Sequence, residues 1–441
     1  MKPLIIIFTK TIEKILIKLD KGSSFPGKIA LKLNKNITSY FKLPKKIIFV
    51  TGTNGKTSTA GIIANIYTQN GYKVAHNSKG SNLENGIVSC LIANSNPFGK
   101  IKKDILVLEI DERYFKKVIN YIKPNYLVIS NLSRDQPPRN GHFDIVFNDI
   151  NNYLTDDIHL ILNCDDPQVV KFGLNPNQKV TYYGLAKTKN SKKENKYNPF
   201  DMAFCPKCNK RLIFDYFHYE NLGNYRCSNC NFKRPNPEFE AQLIDDTHFK
   251  INENIITMDS NAFYNVYNLT AGFAMTSITK LENKNIVKAL NNLSLDFDRL
   301  ETFEVDNKRG AIILSKNENS VSYNQSLDYI NNQPNHKTIV IGFINVSRRY
   351  RFNDLSWLWD INFEKLNNTS IHNIICVGPF AYDIATRLKY AEINEKRILV
   401  CENENELLNT IKKYGQENIY NLIGFEMETI LKKQIKEDVT C

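Results

Sequence analysis

The sequence predicts an α/β protein built on a mostly parallel sheet, with a small zinc ribbon inserted and a second α/β domain after it. Three observations predict this. Apolar runs alternate with helix-period stretches from residue 46 onward and again from 303 to 441, as in successive βαβ units. A glycine-rich turn, Gly52-Thr53-Asn54-Gly55-Lys56-Thr57, joins the first apolar run to the first helical stretch. Cys205-Pro206-Lys207-Cys208 is followed after eighteen residues by Cys227-Ser228-Asn229-Cys230, two knuckles at the spacing of a structural zinc site.

The chain has 441 residues, 42% of them hydrophobic and 24% charged, which supports large buried cores and excludes a disordered chain. A prior of roughly 150 residues per domain gives about three domains. The net charge of +12 suits nucleic acid, an anionic membrane surface or phosphate-bearing substrates. The lysines are spread along the chain rather than massed in a block. No apolar run approaches the ~18 residues of a membrane span. Leu4 to Phe8 is too short for a signal peptide, and Lys10 and Lys14 interrupt the apolar pattern beyond it. A cytoplasmic chain with reduced thiols is expected. Residues 4–19 set Ile5, Ile12, Ile15, Leu16 and Leu19 against Lys10, Glu13, Lys14 and Lys18. Such a helix lies on a membrane or packs on its own protein; packing is the expected use.

Residues 1–45 read as a lead-in of two short helices. Strands are expected at 47–50, 73–76, 105–110, 126–130, 158–162 and 179–183, the core of a domain over 46–302. The ribbon, 203–232, interrupts that domain after a Lys- and Asn-rich stretch. A second domain, 303–441, carries strands at 311–314, 338–342, 373–377, 397–400 and 419–423. Parallel sheets bind ligands beyond the carboxyl ends of their strands, so each functional motif is expected just after a strand.

The first such motif is the glycine-rich turn. Strand, turn, Lys-Thr and helix make a phosphate cradle, in which backbone N–H groups and the helix N-terminus meet phosphate oxygens. Thr53, Asn54, Gly55, Lys56, Thr57 and Ser58 are the ATP-binding candidates. Lys56 reaches the outer phosphates, and the Thr57 hydroxyl holds Mg²⁺. Ile105 to Glu112 ends in carboxylates, and Glu109 is the second magnesium ligand. Ser130 to Gln136 is a polar cluster after another strand. Asn163 to Pro167 reads equally as a helix cap or a nucleotide contact. Asn265 and Asn268 fall one turn apart, where they read an adenine edge or cap the helix. Cys205, Cys208, Cys227 and Cys230 supply four thiolates, a closed tetrahedral set for structural Zn²⁺. Trp357 and Trp359 read as core anchors of the second domain. Cys90 lies in a helix-core pattern, and no Gly-x-Cys-x-Gly nucleophile turn occurs.

Val50 to Thr59 resembles the ATP loop of the Mur ligase family, with its shortened Gly-Thr-x-Gly-Lys-Thr form. His76 to Leu83, Leu108 to Glu112, Arg134-Asp135-Gln136, Asn265/Asn268, Arg299-x-Glu301, the ribbon and Asp354-x-Ser356-Trp357-x-Trp359-Asp360 are similar to one branch of it. That branch is the ligase subunits of the amidotransferases that amidate D-glutamate in the peptidoglycan stem peptide. The resemblance implies a Mur ligase-like central ATPase domain and a Rossmann-like C-terminal domain. It implies ATP and Mg²⁺ at Lys56, Thr57 and Glu109, with Asn268 near the adenine and Arg299 near the phosphates or ribose. It also implies lipid II as substrate, its α-carboxylate converted to an acyl phosphate and then to an amide. Ammonia then comes from a GatD-type glutaminase, a separate chain whose His is oriented by Asp354 across the interface, at the inner face of the cell membrane. Tyr350-Arg351-Phe352-Asn353 and Pro137-Pro138-Arg139-Asn140 depart from the family pattern. Two alternatives stand beside this reading: a Mur- or folate-type ligase that joins an amino acid, and a zinc-ribbon ATPase that binds nucleic acid.

Overall fold

The computed structural model describes residues 2–18, 24–78, 81–133, 142–194, 203–258, 263–293, 300–314, 319–346 and 354–440. The described residues up to Leu293 form one compact unit and those from Leu300 a second.

The first unit is built on a nine-stranded sheet. Its strands are β1 (Lys46–Thr51), β2 (Val74–His76), β3 (Ile105–Glu109), β4 (Tyr126–Ile129), β5 (His159–Asn163) and β6 (Val180–Leu185), with β9 (Phe239–Leu243), β10 (His248–Ile251) and β11 (Asn254–Thr257). Between β6 and β9 the chain makes the ribbon hairpin, β7 (Leu212–Tyr219) and β8 (Leu222–Cys227). The sheet order is β11-β10-β9-β6-β5-β4-β1-β3-β2, and every pair from β2 across to β9 is parallel. The last two pairs, β9–β10 and β10–β11, are antiparallel. Central strands read as unbroken apolar runs because helices cover both faces. Pleating sends Ile47 and Phe49 to one core, and Ile48 and Val50 to the other.

On the first face sit the helices Lys2–Lys18, Phe25–Leu33 and Glu84–Asn94. Ile5, Ile6 and Ala30 are buried there, so the lead-in belongs to this core. Gly27 is required at the crossing: a Cβ would lie 2.0 Å from the carbonyl oxygen of Asn85. Cys90 is buried in the third helix, and burial pushes its thiol up to about 12. On the other face, helices Lys56–Gln69 and Phe263–Ser277 pack together, with Gly272 against Ile62.

The second unit has the order β12-β13-β17-β14-β15-β16, from β12 (Leu300–Val305), β13 (Lys308–Leu314), β14 (Lys337–Gly342), β15 (Ile371–Val377), β16 (Ile398–Cys401) and β17 (Asn418–Ile423). All pairs are parallel except β12–β13. Strand β12 places Leu300 in this unit, just ahead of the boundary at 302/303 read from sequence. Trp357 is a core anchor, its ring 5.3 and 5.4 Å from those of Tyr323 and Phe343. Trp359 is not: it is 55% exposed and lies against Tyr390 and Arg387. The two fall in a 3₁₀ turn, Ser356–Asp360, whose tight winding cannot put both on one face. Among the described residues, no helix is long and apolar enough to cross a membrane.

Candidate active site

Strand β1 ends at Thr51 and the helix Lys56–Gln69 begins five residues on. Gly52 and Gly55 turn the chain with φ of 128° and 79°, a region closed to most side chains. Both are also crowded. A Cβ on Gly52 would meet Ser130 Oγ, and one on Gly55 would meet Asn268 Oδ1, each at 2.3 Å.

The turn is splinted by the segment after β4. Thr53 N donates to Asn131 O at 2.8 Å, and Asn54 N donates to Asn131 Oδ1 at 3.0 Å. Ser130 Oγ and Asn131 Nδ2 both donate to Asn54 O, at 2.7 and 3.0 Å. Ser133 N donates to Thr53 Oγ1 at 3.0 Å. The polar cluster from Ser130 therefore holds the loop's shape. The Thr53 and Asn54 amides are engaged in that splint. The first turn of the helix has amides it cannot satisfy internally, as an anion site requires, and the Thr57 and Ser58 hydroxyls beside them are exposed.

Lys56 is buried at the throat of the turn. Its Nζ donates to Gly52 O, to Thr53 O at 3.0 Å and to Glu112 Oε2 at 3.1 Å. The loop carbonyls pull the ammonium inward and Glu112 balances its charge. A nucleotide phosphate would compete with that carboxylate for the same donor.

Glu109 closes strand β3, opposite Val50 in register. Its backbone is clipped by Asn77, which accepts from Glu109 N at 2.8 Å and donates to Glu109 O at 2.8 Å. Asn82 Nδ2 donates to Glu109 Oε1 at 2.8 Å. The other oxygen, Oε2, is buried without a hydrogen-bond partner. A buried, unpaired carboxylate oxygen is costly, and a hard cation such as Mg²⁺ takes oxygen ligands of this type. The donor set fits. Asn77 and Asn82 support the site without having been singled out individually, and Glu112, read from sequence as a secondary magnesium candidate beside Glu109, pairs with Lys56. The signal was there in the His76–Leu83 segment and in the doubled acids after β3.

Asn268 Oδ1 accepts from Thr59 Oγ1 at 3.2 Å and lies against Gly55. Its amide oxygen thus packs on the loop itself, where it ties the helix Phe263–Ser277 to the phosphate turn. Asn265, one turn earlier, is buried with an unpaired Nδ2. Arg299 and Arg134-Asp135-Gln136 lie outside the described residues, as do Lys79, Gly80 and Tyr350 to Asn353.

After β5, Asp166 caps the short helix Pro167–Val170 by accepting from Gln168 N and Val169 N. Its second oxygen accepts from Leu132 N at 2.8 Å, which steadies the splint from behind. Burial pushes its carboxyl up to about 7, against the pull of those three amides. The capping reading of Asn163 to Pro167 therefore describes Asp166. Asp165 has another task. It accepts from Arg234 Nε at 2.5 Å, from Tyr267 OH at 2.7 Å and from Leu185 N at 2.8 Å. Arg234 lies just past the ribbon and Tyr267 precedes Asn268, so one buried carboxylate joins ribbon, sheet and helix.

In the ribbon, the ligand atoms of Cys205, Cys208, Cys227 and Cys230 all lie within 4.8 Å of one another. Lys207 N and Asn229 N donate to Cys205 Sγ and Cys227 Sγ, each at 3.4 Å. Amides at both knuckles favour thiolates, and four thiolates this close together are a donor set that suits tetrahedral Zn²⁺. The hairpin has no core of its own: Leu212, Tyr225 and Phe232 cluster with Cys164 and Val170 of the main sheet region.

In the second unit, Asp354 is half-buried and its Oδ1 accepts from Ser356 N at 2.9 Å. This bond starts the 3₁₀ turn that carries the tryptophans.

The chain matches the Mur ligase middle domain over residues 50–276 and the MurT ligase C-terminal domain over 314–426. Lipid II isoglutaminyl synthase (glutamine-hydrolyzing) subunit MurT of Staphylococcus aureus is 32% identical over 380 residues, 85% of this chain and 84% of that protein. The subunit of the same name from Streptococcus pneumoniae is 29% identical over 418 residues, covering 93% and 92%. Among solved structures, a pseudomurein peptide ligase type C from Methanothermus fervidus superposes with a TM-score of 0.68 at 23% identity, covering 91% of this chain and 80% of that one. MurF from Acinetobacter baumannii gives 0.61 at 15%, covering 92% and 80%. At such identities these two bear on the fold alone. The chain belongs to the Mur ligase family, in the branch that carries a MurT-type C-terminal domain.

Proposed function

We propose that this chain is the ATP-dependent ligase subunit that amidates the α-carboxylate of D-isoglutamate in the lipid II stem peptide, giving D-isoglutamine. The observation that carries this is the pairing of a splinted phosphate turn, with Lys56 at its throat, and a buried Glu109 oxygen beside it. The named relatives support the substrate. A carboxylate resists attack by ammonia, so it must first gain a leaving group. A carboxylate oxygen of lipid II attacks the γ-phosphorus of ATP, and the bond to the β-phosphate oxygen breaks to release ADP. Ammonia then attacks the acyl carbon, phosphate leaves, and the nitrogen loses a proton. Lys56 holds the γ-phosphate, the first helical turn and Thr57 fix its partners, and Glu109 with Thr57 would hold Mg²⁺. That ion supplies charge neutralisation on the phosphates. The chain's own contribution is position and electrostatics. Arg299 and Asn268 belong to the nucleotide side of this reading. The test is a trap: with hydroxylamine in place of ammonia, lipid II should yield a hydroxamate only when ATP is present. ADP release without hydroxamate would contradict an acyl phosphate.

Ammonia in this reading comes from a glutaminase subunit of the GatD type, bound at the inner face of the membrane. Asp354, with one carboxylate oxygen engaged locally, orients the glutaminase His. Asp354→Asn is expected to abolish glutamine-driven amidation and to leave ammonia-driven amidation within about twofold. Equal loss of both would remove Asp354 from that role. The four-cysteine cluster binds structural Zn²⁺. Cys208→Ser should lower zinc content measured by mass spectrometry and cost about 2 kcal/mol or more of stability; unchanged zinc would refute the four-thiolate site.

A further inference from the structure

The helix Lys2–Lys18 has two apolar faces, and only one is used. Ile5, Ile6 and Thr9 are buried against the first unit. Leu4, Phe8 and Ile15 are 69%, 54% and 53% exposed, and Ile7 stands beside them. At 100° per residue, Leu4, Ile7, Phe8, Thr11 and Ile15 fall within one stripe about 100° wide, roughly opposite the buried face. Lys14, exposed, flanks the stripe.

The helix packed beside it repeats the pattern. Phe25–Leu33 buries Pro26, Gly27 and Ala30, and leaves Phe25 and Leu33 exposed with Lys28 and Lys32 between them. A third exposed aromatic, Phe98, lies on the loop that Lys10 ties to the first helix by donating to Ser95 O. Residues 2–18 contain four lysines and residues 24–40 three, against the single acid Glu13.

We propose that these two helix faces dock on an anionic lipid bilayer. Large apolar side chains interleaved with lysines suit the boundary between acyl chains and acidic headgroups. A second copy of the chain fits less well, because a two-fold interface would set the same lysines against one another. Nucleic acid gives the exposed Leu and Ile nothing to pack on. The choice of a lipid surface rests on the reading of lipid II as substrate, and docking would bring the first unit to the leaflet that holds it.

The test is vesicle flotation of the full chain, with no lipid II in the vesicles, so its outcome is separate from the amidation assay. Vesicles of phosphatidylglycerol and phosphatidylcholine should carry the protein, vesicles of phosphatidylcholine alone much less, and added salt should release it. The double variant Phe8→Ser/Ile15→Ser should lower partitioning about tenfold or more, with an unchanged thermal transition because both side chains are exposed. Lys14→Glu/Lys32→Glu should lower it too and flatten the salt dependence. Absence of binding to the anionic vesicles at low salt would overturn the proposal. So would unchanged partitioning of the serine variant, or a self-association of the parent chain that the serine variant abolishes.

Discussion

Lys56→Met is expected to reduce ATP-dependent amidation by about 10³-fold or more, equivalent to about 4 kcal/mol of transition-state stabilisation. The side chain is not merely near a phosphate site. It is drawn into the turn by the carbonyls of Gly52 and Thr53 and balanced by Glu112. Charge that develops on the transferring phosphoryl group would meet an ammonium already positioned by the loop, in exchange for its bond to Glu112. Met keeps most of the apolar stem and removes the ammonium, and with it the hydrogen bonds to Gly52 O and Thr53 O. Glu112 then loses its cationic partner in a buried setting, so a modest fall in thermal stability should accompany the kinetic loss. ADP release with lipid II present is the readout. Activity within about tenfold of the parent would mean that Lys56 serves the loop's structure and not the transferring phosphate.

Asp165→Asn is expected to give a large stability loss, roughly 3–5 kcal/mol. The carboxylate is fully buried and accepts from Arg234, Tyr267 and Leu185 N. Removing its charge leaves the Arg234 guanidinium, itself nearly buried, with Glu240 as its remaining ion-pair partner among the described residues, beside a hydrogen bond to Leu185 O. The loss should not stay local. Tyr267 precedes Asn268, whose amide oxygen packs on Gly55 and Thr59. The variant is therefore expected to bind ATP more weakly as well as to unfold sooner. Urea unfolding and nucleotide titration read the two effects separately. An Asp165→Asn protein as stable as its parent would show that the ribbon, sheet and helix are held together by other contacts.

These two residues also mark what the sequence disclosed and what it withheld. Lys56 was legible because a phosphate turn is local: strand, glycines, Lys-Thr and helix are contiguous, and each obeys a short-range rule. Most of the parallel strands of both units were legible for the same reason, since buried parallel strands are apolar runs bounded by turns. Asp165 was not assigned its role because its partners lie 20, 69 and 102 residues away. Nothing in local pattern separates it from Asp166, a capping residue next door. Strands β9 to β11 escaped for a related reason. They are short and half-exposed, and polar residues such as Gln242 and Lys250 alternate with their apolar ones, so no continuous apolar run marks them. Ser130 to Ser133 was legible only as a polar cluster after a strand; its hydrogen bonds to Thr53 and Asn54, which set the shape of the turn, join residues about 80 apart. Trp359 misled in the opposite sense, because residue type alone does not tell which face of a 3₁₀ turn a side chain takes. The first helix was read as either packed or membrane-facing. Its buried and exposed apolar faces leave room for both.

The most direct measurement is the mass of the lipid II stem peptide after incubation with this chain, ATP, Mg²⁺ and ammonium, or with glutamine and a GatD-type glutaminase. The account predicts the small mass decrease of an OH-to-NH₂ exchange at D-isoglutamate, with ADP formed in equal amount and no change without ATP. An unchanged peptide, or one heavier by an added amino acid residue while ADP accumulates, would contradict it.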